Sequence, residues 1–134
     1  MHYREIVWIN GSFDVLHMGH IKLFQRARQM GVPVIVGVDS DDRIAELKGI
    51  NRPVNYLSDR VEFLRSIKYI DEVKMFATDE ELKQTIKSYA PRWMVIGEDY
   101  RDKTIIGEEW IKEVIYVPRY GGLSSSAIIG RAHS

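Results

Sequence analysis

Five short apolar runs, EIVWIN (5 to 10), VPVIVGV (32 to 38), EVKMFA (72 to 77), RWMVIG (92 to 97) and EVIYVP (113 to 118), punctuate the chain. Continuous Val and Ile without polar alternation suits strands buried on both faces, so each run is predicted as a strand. The intervening segments have a different period. GHIKLFQRARQMG places Ile21, Phe24 and Ala27 at helical spacing with Leu23 beside them, and Gly31 stands where a helix would stop. SDDRIAELKG opens on a Ser/Asp cap and closes on Gly49, while SDRVEFLRSIKYI carries Val61, Leu64 and Ile67 three apart. TDEELKQTIKSYAP begins with Thr78, has Glu81 at the capping-box position and ends before Pro91. Strands alternating with helices pair in parallel through right-handed crossovers, which predicts a three-layer α/β/α sandwich around a five-stranded parallel sheet. In such sheets ligands collect at the carboxyl ends of the strands, near the switch point.

Length and charge narrow the picture further. The 134 residues suit one domain covering 1–134. Nineteen basic residues balance nineteen acidic ones, which gives no overall field for a nucleic acid or a membrane surface. The chain has no cysteine, so disulfides, thiolate metal sites and cysteine nucleophiles are excluded. MHYREIVWIN has too short an apolar run for a signal peptide or membrane span, and a cytoplasmic location is expected. No GxGxxG follows the first strand, which disfavours a dinucleotide-binding module.

The chemistry concentrates in GSFDVLHMGH, Gly11 to His20, between the first strand and the first helix. His17 and His20 are three apart with Gly19 between them, so at a helix start both rings can face one way. The free N–H groups of that turn favour an anion. Imidazoles there can donate to phosphate oxygens that gain charge during transfer, and Gly11 and Gly19 withhold side chains where a phosphate would approach. A zinc pair and a simple cap are the alternatives. A second anion-binding pattern lies in RYGGLSSSAIIG, where Ser124, Ser125 and Ser126 stand at a helix start beside Arg119.

GSFDVLHMGH with IKLFQRARQMG resembles the (T/S)FDxxHxGH signature of the nucleotidyltransferase superfamily. RYGGLSSS resembles the RTxGISTT signature of glycerol-3-phosphate cytidylyltransferases, and SIKYIDEV is similar to their IRYVDEV segment. RPVNYLSDR, and GEDY followed by IIG, look like stretches of heptose-phosphate adenylyltransferase domains. The resemblance implies a Rossmann-like fold that moves a nucleotidyl group from a nucleoside triphosphate to a phosphorylated acceptor, releasing pyrophosphate. It implies Mg²⁺ carried mainly by the triphosphate, and a homodimer. CMP transfer from CTP to glycerol-3-phosphate is the first expectation, adenylyl transfer from ATP to a sugar phosphate such as heptose-1-phosphate the alternative. A non-catalytic nucleotide-binding module is the competing class, against which an intact histidine pair argues.

By the same resemblance His17, His20, Lys48 and Arg119 are the catalytic set. Gly11, Ser12, Phe13, Gly19, Gly97, Asp99, Arg119 and Ser124 to Ser126 are expected to hold the nucleotide, with Tyr100 against the base. Asp14, Asp41, Arg60, Lys68 and Asp71 are expected at the acceptor, Asp14 helping to order the loop as well as the substrate. Asp71 can position Lys68 or cap a turn. Arg52 is a second basic candidate beside Lys48. Asp39, Ser40 and Asp41 follow the second strand, where helix capping and acceptor contact are both open. Trp8, Trp93 and Trp110 sit in apolar periodicity and are expected in the core or an interface. A phosphate monoester has a second pKa of about 6 and arrives as an anion, so direct in-line attack on the α-phosphorus needs no general base and no covalent intermediate.

Overall fold

The structure, a computed structural model, describes residues 2–49 and 51–121. Five parallel strands form one sheet in the order β3-β2-β1-β4-β5. They are β1 (Arg4–Gly11), β2 (Val34–Asp39), β3 (Glu72–Phe76), β4 (Pro91–Gly97) and β5 (Glu113–Val117). Among the described residues four α-helices join β1 through β4, α1 (Met18–Arg28), α2 (Asp41–Lys48), α3 (Leu57–Arg65) and α4 (Asp79–Tyr89), and short 3-10 turns lead from β4 to β5. No helix among the described residues is long and apolar enough to cross a membrane.

The two-residue period of the strands sorts the core into two halves. Val7 and Ile9 of β1, with Val34, Val36 and Val38 of β2, face α1 and α3 through Phe24, Ala27, Val61 and Leu64. Trp8 and Ile35 point the other way, towards Leu82 and Ile86 of α4 and towards Ile105 and Ile111. Both faces of the central strands are therefore dry, which is why their sequences read as unbroken apolar runs. Trp8 is fully buried, and Trp93 and Trp110 pack against the two core clusters.

Two departures from the predicted elements have visible causes. The helix expected across SDRVEFLRSIKYI stops at Arg65, and Ser66 to Ile70 form tight turns. Asp71 N–H must reach Val34 O (2.9 Å) to open the β2–β3 ladder, and that pairing overrides the helical period. At α4, Thr78 Oγ1 accepts from Glu81 N–H (3.0 Å), but the Glu81 carboxylate reaches back to Ala77 N–H (2.8 Å), one residue before the cap. The helix ends at Tyr89 with Ala90 in the left-handed region, and Pro91 begins β4.

Gly37 in β2 shows how tightly the second face is packed. A Cβ there would lie 2.5 Å from Trp8 Cζ2 and 3.2 Å from Phe76 Cε1. The indole is held in turn by its Nε1–H, which donates to Asn10 Oδ1 at 2.8 Å. Gly37→Ala is expected to cost about 1–3 kcal/mol of stability through overpacking. In urea unfolding this is a lower midpoint at unchanged slope, and an unshifted midpoint would show that Trp8 has room to move.

Candidate active site

Each strand delivers its last residue, Gly11, Asp39, Phe76, Gly97 and Val117, to a cavity of about 540 Å³ at the carboxyl edge of the sheet. The chain order turns back between β1 and β4, so the loop after β1 stands at the switch point where such sheets bind ligands.

That loop is built around a capping arrangement. His17 is the N-cap of α1, and its Nδ1 accepts from Gly19 N–H at 3.0 Å; His20, three residues on, returns the favour by accepting from His17 N–H through its own Nδ1 at 3.1 Å. The two rings lie 4.0 Å apart. The cap and phosphate readings of this pair are thus compatible. A nitrogen that accepts a backbone N–H carries no proton, so in each neutral ring the proton sits on Nε2. Burial lowers the His20 pKa, and the charges of His17 and Lys48 take it down to about 3. Burial and the Arg119 guanidinium also lower that of His17. At neutral pH the site therefore presents two neutral Nε2–H donors on cavity-lining rings.

The glycines serve the rings before any ligand. A Cβ at Gly19 would lie 2.6 Å from His17 Cε1, so only glycine lets the imidazole fold over its own turn. A Cβ at Gly11 would meet Phe13 Cζ at 3.3 Å. Phe13 itself has φ 48, an uncommon conformation for a bulky residue, and its ring stands edge-on to His20 with centroids 5.5 Å apart. Lys48, the last residue of α2, donates to Ser12 Oγ at 3.1 Å. Burial, then Arg52, depress its pKa. On the β4–β5 side, Gly97, Asp99, Tyr100 and Arg119 line the cavity, with Arg119 Nε 3.9 Å from Asp99 Oδ2. Ser124, Ser125 and Ser126 lie outside the described residues.

The five expected acceptor residues are placed differently, and none lines this cavity. Arg60 is fully buried. Its Nε donates to Asn55 O (2.9 Å), Nη1 to Ser12 O (2.9 Å) and Asp39 O (2.7 Å), and Nη2 to Asp41 Oδ1 (2.6 Å). The guanidinium is consumed as a brace for three loops and has no face for a substrate. Asp41 Oδ1 also takes Leu57 N–H at 2.8 Å, capping α3, whose N-cap Tyr56 supplies no side-chain bond. Asp14 is buried, with Arg52 Nε (2.7 Å), Val54 N–H (2.8 Å) and Asn55 N–H (2.8 Å) on its oxygens. Burial pushes its pKa up, but these hydrogen bonds and the Arg52 charge outweigh that and hold it below the ordinary value. Asp14 orders the loop rather than a ligand. Asp71 binds Val34 N–H (2.7 Å) and Arg28 Nη1 (3.1 Å) at the amino ends of the strands. Lys68, over the Tyr69 ring, is in the same α3–β3 connection. Both are at the opposite edge of the sheet, because the connection into β3 approaches it from below.

The family model for cytidylyltransferase-like domains matches residues 8–131. The chain belongs to that family. Curated relatives include bifunctional protein HldE of Campylobacter fetus, 40% identical over 128 residues, and that of Helicobacter hepaticus, 41% identical over 125. The alignments cover 96% and 93% of this chain but 28% and 26% of those proteins, so the chain spans about a quarter of their length. Among solved structures, the lipopolysaccharide core biosynthesis protein from Thermoplasma volcanium superposes with a TM-score of 0.71 at 21% identity, covering 87% of this chain and 98% of the other. A protein of unknown function from Archaeoglobus fulgidus gives 0.62 at 22%, covering 90% and 93%. Those likenesses establish a shared fold, the family match a nucleotidyltransferase domain. The sequence reading passed over the roles of Asn55 and Arg43: Asn55 meets Asp14 across 41 residues and Arg43 meets Asp79 across 36, and no spacing along the chain marks either pairing.

Two measurements bear on this arrangement. Arg60→Met leaves the Ser12, Asp39 and Asn55 carbonyls without their donor and is expected to cost about 3–5 kcal/mol, with Arg60→Lys milder, read by urea unfolding. The second concerns pH. An unfolded histidine titrates near 6.5, whereas His20 stays neutral to about 3. Between these values the unfolded state binds more protons, so the stabilisation is complete above about pH 6.5 and is lost as pH falls towards 3, at up to about 1.4 kcal/mol per pH unit for one histidine. His20→Gln should flatten that slope; an identical slope would place the titration elsewhere.

Proposed function

We propose that this domain transfers an adenylyl group from ATP to a sugar phosphate such as heptose-1-phosphate, releasing pyrophosphate. The observation that carries nucleotidyl transfer is the His17–His20 capping box, which leaves two Nε2–H donors on the cavity at the end of β1. The choice of ATP and a sugar phosphate is supported by the alignment with bifunctional HldE proteins over nearly the whole chain, together with the similarity of RPVNYLSDR and GEDY to heptose-phosphate adenylyltransferase domains.

In this reading the acceptor's phosphate oxygen attacks the α-phosphorus in line. The new O–P bond forms as the bond to the β-phosphate oxygen breaks, and pyrophosphate leaves with the electron pair. His17, His20, Lys48 and Arg119 donate to oxygens that gain charge on the way, a stabilisation that needs no proton transfer. The ribose and base lie towards Gly97, Asp99 and Tyr100. Mg²⁺ carried by the triphosphate would neutralise charge on its oxygens, and the residues above would hold the triphosphate beside it. CTP with glycerol-3-phosphate is the second reading, favoured by the likeness of RYGGLSSS to the cytidylyltransferase signature.

Pyrophosphate release across a matrix of ATP and CTP against heptose-1-phosphate and glycerol-3-phosphate separates the two. Highest turnover is expected with ATP and heptose-1-phosphate, and a preference for CTP would overturn the assignment. In His17→Ala and His20→Ala, turnover should fall about 100-fold or more while triphosphate affinity changes only a few-fold. Equal losses in both would make the pair ground-state binders.

A further inference from the structure

The wall of the cavity on the β2–β3 side has no part in the transfer chemistry above. It carries one ion pair, between Asp39, the last residue of β2, and Arg43 in α2. Arg43 Nε donates to Asp39 Oδ1 at 2.6 Å and Nη2 to Asp79 Oδ1 at 2.5 Å, and the guanidinium lies 5.5 Å from the Phe76 ring centroid. The clamp on Asp79, at the start of α4, holds the pair in place. Their side chains are 14% and 13% exposed, and both line the cavity. Among the described residues, Asp39 Oδ2 and Arg43 Nη1 have no hydrogen-bond partner, although every other polar atom of the two heads is used.

The leftover valences specify a ligand group. An unpaired acceptor oxygen and an unpaired donor nitrogen on one cavity wall, in a pair whose charges cancel, match the hydroxyls of a polyol, each of which can donate or accept. A bare phosphate meets the Asp39 carboxylate there, and an ammonium meets Arg43, so neither ion gains. Phe76, Leu82 and Leu47 line the same wall and offer apolar cover to the carbon skeleton of a polyol. Position agrees with this. Lys48, bonded to Ser12 Oγ at 3.1 Å, is near enough for its charge to act on Asp39, so the wall adjoins the phosphate floor. Asp99, Tyr100 and Arg119 lie on the other flank of β1.

We propose that Asp39 and Arg43 form the hydroxyl-reading wall of the acceptor subsite, selecting a polyhydroxylated phosphate over an amino-alcohol phosphate. The inference rests on the transfer reading above, but not on the identity of the base.

The test is steady-state pyrophosphate release by the wild type, Asp39→Asn and Arg43→Lys with heptose-1-phosphate, its mono-deoxy analogues, glycerol-3-phosphate and phosphoethanolamine. For the wild type, removing the contacted hydroxyl is expected to lower kcat/KM for the acceptor about 10- to 100-fold, because the site's polar atoms are left unpaired. Asp39→Asn should lose a similar factor with the full acceptor and little more with that deoxy analogue, with the triphosphate KM within about twofold. Arg43→Lys keeps the charge beside Asp39 but shortens its reach, and should show the same selective loss. Active variants that discriminate full from deoxy acceptors as strongly as the wild type would overturn the assignment, as would a wild type that prefers phosphoethanolamine. A wild type that releases no pyrophosphate with any pair removes the transfer reading and this inference with it.

Discussion

The carboxyl edge of this sheet depends on one buried guanidinium. Arg60 receives no face from solvent, yet its donors reach the loop after β1 at Ser12, the end of β2 at Asp39, the entry to α3 at Asn55, and the carboxylate of Asp41. Three of the four partners are backbone carbonyls at the ends of elements, where the ladder has run out and water is excluded. A buried charge is costly unless its hydrogen bonds are made, and here making them requires three separate loops to be in their working positions at once. The charge therefore acts as a condition on the fold: the loops are assembled or the guanidinium is stranded.

Everything at the centre of the site inherits that condition. Ser12, held through its carbonyl by Arg60 and through its hydroxyl by Lys48, precedes Phe13, whose left-handed backbone is uncommon for an aromatic residue. Phe13 in turn supports His20, and His20 caps the turn that His17 begins. Asp14 fastens the same loop to residues 52–55 through four hydrogen bonds, three to its carboxylate and one to its backbone carbonyl. The result is a hydrogen-bonded, neutral histidine pair with Lys48 and Arg119 on the same cavity, so in the proposed reaction a triphosphate would meet positive charge together with oriented imidazole N–H donors. Preorganisation of this sort is where enzymes that transfer phosphoryl groups find most of their rate.

A domain that spans about a quarter of its curated relatives brings the ends of all five described strands to one cavity. The cavity is asymmetric about β1. Its β4–β5 flank presents an exposed Asp99, a half-exposed Tyr100 and a loosely paired Arg119, whereas its β2–β3 flank is a fixed wall with a neutralised ion pair.

The sequence by itself determined the periodicities and the motif. Val and Ile runs separated by amphipathic segments dictate buried parallel strands with helical crossovers, and a strand followed by His-x-Gly-His marks the start of the first helix at the carboxyl edge of the sheet. Local chemistry sufficed for these, because period, capping and turn geometry are properties of neighbours in the chain. Only the tertiary structure decided what the charged residues do. Arg60 and Asp41 read as ligands of an acceptor and prove to be braces, Asp14, read as ordering both loop and substrate, has its carboxylate taken up by the loop, and Asp71 and Lys68 read as part of the site and stand at the far edge of the sheet. Asp39 read as either a helix cap or an acceptor contact and Arg43 carried no reading; both line the cavity, where Asp79 of α4 and Phe76 of β3 come to meet Arg43. A charge spends its hydrogen bonds on whatever the fold brings within 3 Å, and no spacing along the chain records which partners those will be.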